Sequence, residues 1–343
     1  MANYLIAFFS ALIISFMLTP LARKLAFKVG ALDVPKDNRK IHKKPMPYFG
    51  GLAIYVSIMS CMIVFMPHDR TNISIMIGAT VIVLAGILDD MYDMPAKVKF
   101  IIQILAACIA IYGGVKIHFV TNPLAETGMS LLKNLTVPIT LFWIVGITNT
   151  INLIDGLDGL ASGVASIAAA TLLFTAAIKG YYFIVLQCAI IVGASLGFLP
   201  FNFNPAKIFM GDTGSLLLGY MLAVTSVLGT VKSVAAIALI APIFALGVPI
   251  FDTTFAIVRR KLNNKPIMQA DKEHLHHQLM KKGLNQRQTV LIIYLISMLL
   301  GLAAVVVSDA EPATGFIVVG IVLVIVFIFA KKLGLFNKKV NKK

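Results

Sequence analysis

The 343-residue chain is 59% hydrophobic and 13% charged, with a formal net charge of +15. Soluble domains carry about a quarter charged residues. The composition therefore excludes an ordinary water-soluble globule and makes lipid the solvent for much of the chain.

About 20 apolar residues cross a bilayer as a helix. Eleven stretches approach that length: 4–22, 50–66, 73–88, 98–115, 135–151, 160–178, 181–199, 213–230, 234–257, 290–307 and 313–330. The expected fold is all-α: a polytopic membrane protein of about eleven transmembrane helices. Residues 1–330 form one multi-span catalytic domain, and 331–343 form a basic tail. No convincing small-residue cleavage site follows the first stretch, so it reads as a retained helix. With eleven crossings the loops alternate sides. One side then holds 25 Lys and Arg and the other holds 5. The positive-inside rule puts the richer side in the cytoplasm, with the N-terminus outside and the C-terminus inside. The charge is thus a topology signal, and a nucleic-acid partner is not expected. Cys61, Cys108 and Cys188 lie within apolar stretches without metal-ligand spacing.

Loop 23–49 is basic and holds three prolines just before Gly50-Gly51. Most of its cations read as a solvated surface, whereas Lys44 stands at the membrane mouth and can meet a phosphate. The third stretch ends in DDMYD, residues 89–93, with Lys97 and Lys99 following. An acidic helix end facing water is the plain reading. Against it, carboxylates at a helix C-terminus oppose the macrodipole. Adjacent acids also suit a hard cation such as Mg²⁺ or Mn²⁺.

Residues 149–160, NTINLIDGLDGL, place Asn149, Asn152, Asp155 and Asp158 between two hydrocarbon stretches. A tight turn needs about four residues; polar groups beside membrane-length segments usually mark function. Loop 200–212 adds Asn202, Asn204, Lys207 and Asp212. Asp212 reads either as a helix cap or as part of a polyanion site. Neither loop has the spacing of a P-loop. Pro242 and Pro249 predict a kinked or broken ninth stretch. Asp252, near its end, is either a further acid of the site or, the favoured reading, a partner for Arg259 or Arg260. Loop 258–289 carries Arg260, His274, His276 and His277. No cysteine accompanies the histidines, which suits contacts to a sugar or phosphate better than a zinc site.

Five polar stretches thus share one face: 43–51, 89–99, 149–158, 202–212 and 259–277. Oxygen ligands, lysines and histidines together suit phosphoryl transfer from a soluble polyanion to a lipid. An ion-coupled transporter is the alternative, but it predicts ionisable residues near the bilayer midplane rather than at one edge.

DDMYD (89–93), NTINLIDGLDG (149–159), NPAKIFMGDTGS (204–215) and HLHH (274–277), in that order, resemble the polyprenyl-phosphate N-acetylhexosamine-1-phosphate transferases. That family starts peptidoglycan, wall teichoic acid and O-antigen lipid intermediates. The loop from Asp271 to His277 resembles the branch using UDP-N-acetylglucosamine (UDP-GlcNAc) rather than the phospho-N-acetylmuramoyl-pentapeptide branch. The resemblance implies a UDP-sugar donor, a polyprenyl phosphate acceptor, release of UMP, and a plasma-membrane enzyme whose site faces the cytoplasm. It implies Mg²⁺, with Mn²⁺ as the other candidate, held by Asp212 with Asn152. It places Asp89 and Asp90 at the acceptor phosphate, and Asp155, Asp158 and Asn204 at nucleotide-side or structural positions. Lys44 and Lys97 would hold phosphates, with Asn149 and Lys207 also lining the donor site. His274, His276, His277 and Arg260 would contact the sugar or diphosphate. A phosphate monoester is largely ionised above its second pKa of about 6, so the acceptor needs no strong base. The oligomeric state is open, with a homodimer one option.

Overall fold

Where their residues are described, the apolar stretches are largely helical in the structure, a computed structural model that describes residues 2–34, 45–121, 129–131, 133–231, 240–262 and 274–333. The helices are α1 (Ala2–Val29), α2 (Gly50–Phe65), α3 (Arg70–Tyr92), α4 (Ala96–Tyr112), α5 (Thr136–Ile154), α6 (Leu160–Ile178), α7 (Tyr182–Asn202) and α8 (Gly211–Val231). They continue with α9 (Ile240–Ala245), α10 (Gly247–Leu262), α11 (Leu275–Lys281), α12 (Gln286–Asp309) and α13 (Pro312–Leu333). Two small antiparallel pairs, Leu32–Asp33 with Met46–Pro47 and Phe119–Thr121 with Met129–Leu131, and a 3-10 turn at Lys133–Leu135 complete the described elements. Among the described residues, eight helices are long and apolar enough to cross a membrane. The α2 helix is shorter, at 16 residues. The ninth stretch is broken, as its prolines predict, into α9 and α10.

The α8 helix is the axis of the bundle. Leu216, Leu217, Leu218, Tyr220, Met221 and Leu222 along it are all fully buried. Helices α2, α3, α5, α6 and α7 pack around it, while α13 lies at the periphery with most of its surface open. Close packing rests on small residues, the usual means of bringing helices together in lipid. On α7, a side chain at Gly193 would meet Phe8 O at 2.3 Å and one at Gly197 would meet Leu12 O at 2.3 Å. The Gly-xxx-Gly spacing therefore lets α1 lie directly on α7.

This arrangement gathers chain ends that are far apart in sequence. The C-terminal ends of α3, α5 and α7 and the N-terminal ends of α4, α6 and α8 come together at one end of the bundle. The polar stretches sit there. Local sequence explains where the helices stop. Gly30 (φ 81°) terminates α1 in the left-handed region, and Asp93 (φ 52°) does the same for α3, a conformation that Asp tolerates better than most residues.

Candidate active site

The site starts from the N-terminus of α8. Its first amides lack helical partners, and Asp90 at the end of α3 supplies acceptors. The Asp90 carboxylate accepts from Asp212 N at 2.8 Å, Thr213 N at 3.2 Å and Thr213 Oγ1 at 2.7 Å. For Asp90 the macrodipole conflict at the end of α3 is resolved here, because it faces the positive end of another helix. Approach is made possible by glycines. A Cβ on Gly86 would lie 2.4 Å from Thr213 Cα, and one on Gly51 would lie 2.1 Å from Gly214 N. The strap around Gly50-Gly51 is fixed by Gly50 N to Phe209 O (3.0 Å) and Gly51 N to Met210 O (2.9 Å).

Asp89, one residue away and about 100° round the helix, faces a different neighbour. Its Oδ1 accepts from Met94 N at 2.8 Å, and its Oδ2 accepts from Lys99 Nζ at 2.8 Å. The same ammonium reaches Asp212 Oδ2 at 2.5 Å. Asp212 Oδ1 accepts from Asn152 Nδ2 at 3.0 Å, and Asn152 also donates to Ser215 Oγ at 2.8 Å. Side chains from α3, α4, α5 and α8 therefore converge on Asp212.

The donor set can be judged against a divalent ion. Among the described residues, no three His, Cys, Asp or Glu side chains form a closed cage. Magnesium does not require one: it keeps waters and binds through one or two carboxylates plus substrate phosphates. Asp212 and Asp89 offer oxygens around a point that already attracts a cation, the Lys99 ammonium. The residues fit Mg²⁺ bound together with a diphosphate.

The stretch after α5 forms the adjoining wall. Asp158 Oδ2 accepts from Asn204 Nδ2 and Ala206 N, both at 3.0 Å. Asn204 also donates to Gln286 Oε1 at 2.8 Å. Asn202 Oδ1 accepts from Gly159 N and Ser162 Oγ, both at 3.1 Å, and so caps α6. Gly159 adopts φ 78°, which a side chain would strain. Asp155 is different. No hydrogen-bond donor among the described residues engages its carboxylate, and part of its surface stays open. Enclosure by protein, followed by the charges of Asp212, Asp90 and Asp158, raises its pKa to about 8.

The histidine loop closes over this wall. Asp252 and His274 are both buried, with His274 Nδ1 3.0 Å from Asp252 Oδ2. The other oxygen, Oδ1, accepts from Leu275 N at 2.8 Å. The favoured expectation of an Arg259 or Arg260 partner is thus corrected: the contacts that define the Asp252 carboxylate are to the first residues of α11. His276 packs on Gly156, where an added Cβ would lie 2.8 Å from its Nε2. Its pKa falls to about 3, through burial first and the neighbouring His277 second, so it is neutral at physiological pH. His276 and His277 lie with ring centroids 4.2 Å apart.

Of the residues singled out from sequence, Asp89, Asp90, Asn152 and Asp212 form one connected cluster, and Asp155, Asp158, Asn204, His274, His276 and His277 line the adjoining wall. Lys97 and Lys207 are exposed. Arg260 lies in the last turn of α10. Lys44 and the loop positions 271–273 lie outside the described residues. Asn149 has another occupation: its amide pairs with Gln103 and donates to Val145 O at 2.8 Å, clamping α5 to α4.

Sequence reading noted Lys99 without giving it a role and passed over Gln103, Ser215 and Tyr48. Lys99, Gln103, Ala106 and Ala110 recur at helical spacing, and this stripe distinguishes Lys99 from Lys97. Tyr48 hydrogen-bonds to Asp33, and its pKa is raised by burial first and then by Asp33, with Asp90 and Asp212 adding to it.

Comparison with known proteins identifies relatives of this chain. The pattern of glycosyl transferase family 4 matches residues 72–230. The probable undecaprenyl-phosphate N-acetylglucosaminyl 1-phosphate transferase of Bacillus subtilis is 44% identical, over 99% of this chain and 94% of that protein. The decaprenyl-phosphate N-acetylglucosaminephosphotransferase of Mycolicibacterium smegmatis is 32% identical, over 93% of this chain and 86% of that protein. A phospho-N-acetylmuramoyl-pentapeptide-transferase from Bacillus cytotoxicus is 30% identical, over 88% of this chain and 96% of that protein. The helical bundle and these relatives define a membrane-embedded transferase. The chain belongs to the polyprenyl-phosphate N-acetylhexosamine-1-phosphate transferases of glycosyl transferase family 4.

Proposed function

We propose that this protein transfers N-acetylglucosamine 1-phosphate from UDP-GlcNAc to a polyprenyl phosphate, undecaprenyl phosphate being the first candidate. The products are UMP and polyprenyl-diphospho-GlcNAc, the first lipid-linked intermediate of a cell-surface polymer such as teichoic acid. The observation that carries this reading is the cluster of Asp89, Lys99, Asn152 and Asp212 at one end of a membrane bundle. Support for the donor and branch comes from the Bacillus subtilis relative, which is 44% identical, against 30–32% for the muramoyl-pentapeptide relatives. With eleven crossings, the 25-to-5 distribution of Lys and Arg supports a site at the cytoplasmic side.

In this scheme an acceptor phosphate oxygen bonds to the β-phosphorus of the donor. The bond from that phosphorus to the bridging oxygen breaks, and UMP leaves with the electron pair. Asp212, with Asp89 nearby, would hold Mg²⁺ or Mn²⁺, which would neutralise charge on the diphosphate and the departing UMP. Lys99 supplies a movable positive charge at the same place. Asp90 holds the start of α8, and with it Asp212, in position. Asp158 and Asn204 fix the wall of the donor pocket, and Asp252 sets the His274 ring. The Asp155 carboxylate, which no hydrogen-bond donor among the described residues engages, would lie beside the donor. The test is UMP release and radiolabelled sugar transfer into lipid with a panel of UDP-sugars, including the muramoyl-pentapeptide donor. Turnover with UDP-GlcNAc supports the proposal; turnover with only the pentapeptide donor moves the protein to the peptidoglycan branch. Solute transport without UMP release would leave neither enzyme reading standing.

A further inference from the structure

The carboxylates of Asp90, Asp89 and Asp212 meet where α3, α4 and α8 converge, and each is already compensated. Asp90 is satisfied by the α8 N-terminus. Asp89 and Asp212 share one ammonium, that of Lys99, at 2.8 and 2.5 Å. Asp212 therefore has both oxygens engaged before any ion arrives: Oδ2 by Lys99 and Oδ1 by Asn152 at 3.0 Å. A divalent ion reaching Asp212 must displace one of them. Asn152 is anchored a second time, by Ser215 Oγ at 2.8 Å, on a helix packed against α8. Lys99 stands in the first turn of α4 on a flexible four-carbon stem, and an ammonium is a point charge that re-aims easily.

We propose that Lys99 is a built-in counter-cation that competes with the divalent ion for Asp212, and that it yields this place when the donor's diphosphate arrives to take the ammonium. The proposal rests on the reading of Asp212 as the metal carboxylate. The lysine compensates the negative charge of Asp89 and Asp212. It also makes ion and diphosphate bind as partners, since each favours the arrangement that admits the other. The same ammonium that pairs with Asp212 is then delivered to the phosphates.

The experiment is Mn²⁺ binding to the purified full-length protein, read by electron paramagnetic resonance, without and with UDP and corrected for Mn²⁺ held by UDP in solution. Lys99→Met should bind Mn²⁺ at least about tenfold more tightly than wild type without UDP, a change of roughly one decade in Kd. Lys99→Arg, which keeps a cation, should stay near wild type. The tightening that UDP confers on Mn²⁺ should shrink in Lys99→Met. Equal or weaker Mn²⁺ binding in Lys99→Met overturns the proposal while leaving the metal reading intact. Absence of Mn²⁺ binding in all folded variants, with and without UDP, overturns the metal reading as well. Amine acylation of the wild-type protein, followed by mass spectrometry, covers a variant that fails to fold. Labelling of Lys99 should change when Mn²⁺ and UDP are added together, and identical labelling contradicts the exchange.

Discussion

Asp90 and Asp89 are adjacent and chemically identical, yet the structure gives them different work, and Asp90→Ala tests that division. The substitution removes the acceptor of three hydrogen bonds at the start of α8, from Asp212 N, Thr213 N and Thr213 Oγ1. Loss of a helix cap costs about 0.5–2 kcal/mol. A buried donor left without a partner costs about 1–3 kcal/mol. One such donor beyond the cap, with the remainder reached by water, gives a total of about 1.5–5 kcal/mol. Thr213→Val removes a single bond to the same carboxylate and should cost about 1–2 kcal/mol. Thermal unfolding in lipid nanodiscs measures both, with UMP release recorded on the same samples. The expected result is a lowered midpoint for Asp90→Ala, a smaller fall for Thr213→Val, and activity lost in Asp90→Ala because Asp212 is no longer held. An Asp90→Ala midpoint equal to wild type, with activity abolished, would refute the positioning role and return Asp90 to direct chemistry.

Asp212→Asn should abolish turnover without unfolding the protein, and near wild-type UMP release would remove Asp212 from the metal site. Asp155 has a folded pKa of about 8, above its unfolded value. The folded state therefore holds a proton that the unfolded state has lost, and metal-free stability should fall as pH rises from about 4 to about 8. Asp155→Asn should flatten that slope and melt higher than wild type at pH 8; an unchanged slope in thermal scans contradicts the shift. Gly86→Ala would place a Cβ 2.4 Å from Thr213 Cα, so expression and activity should both drop; a fully active variant would mean that α3 and α8 can separate. Asp252→Asn should raise KM for the donor more than it lowers kcat, with Asp252→Glu partly restoring it, because the carboxylate acts through His274. Equal loss in both parameters would point to a different role.

The helices were legible because hydrocarbon runs announce themselves and because Pro242 and Pro249 mark the break between α9 and α10. The acids at 89–90 and 212 were legible because acids at a membrane edge need a reason. The division of labour was not. Whether Asp89 or Asp90 meets α8 depends on helix phase and on a partner more than 100 positions away. Asn149 read as a donor-site residue, but its partner Gln103 lies on another helix, and an amide pair between helices leaves no local signature. The choice of Lys99 over Lys97 is carried by the buried stripe through Gln103, Ala106 and Ala110, a pattern visible in the sequence once α4 is given its phase. Asp252 stood close in sequence to two arginines, and nearness along the chain favoured them over a histidine 22 positions away.

The central claim is that a sugar phosphate, and not a bare sugar, passes to the lipid. Its most direct test uses UDP-GlcNAc carrying ³²P at the β-phosphorus, with polyprenyl phosphate and Mg²⁺. The account predicts that the label enters the organic-phase lipid and that unlabelled UMP appears in equal amount. Label left in water as UDP, with the sugar in the lipid, would contradict it.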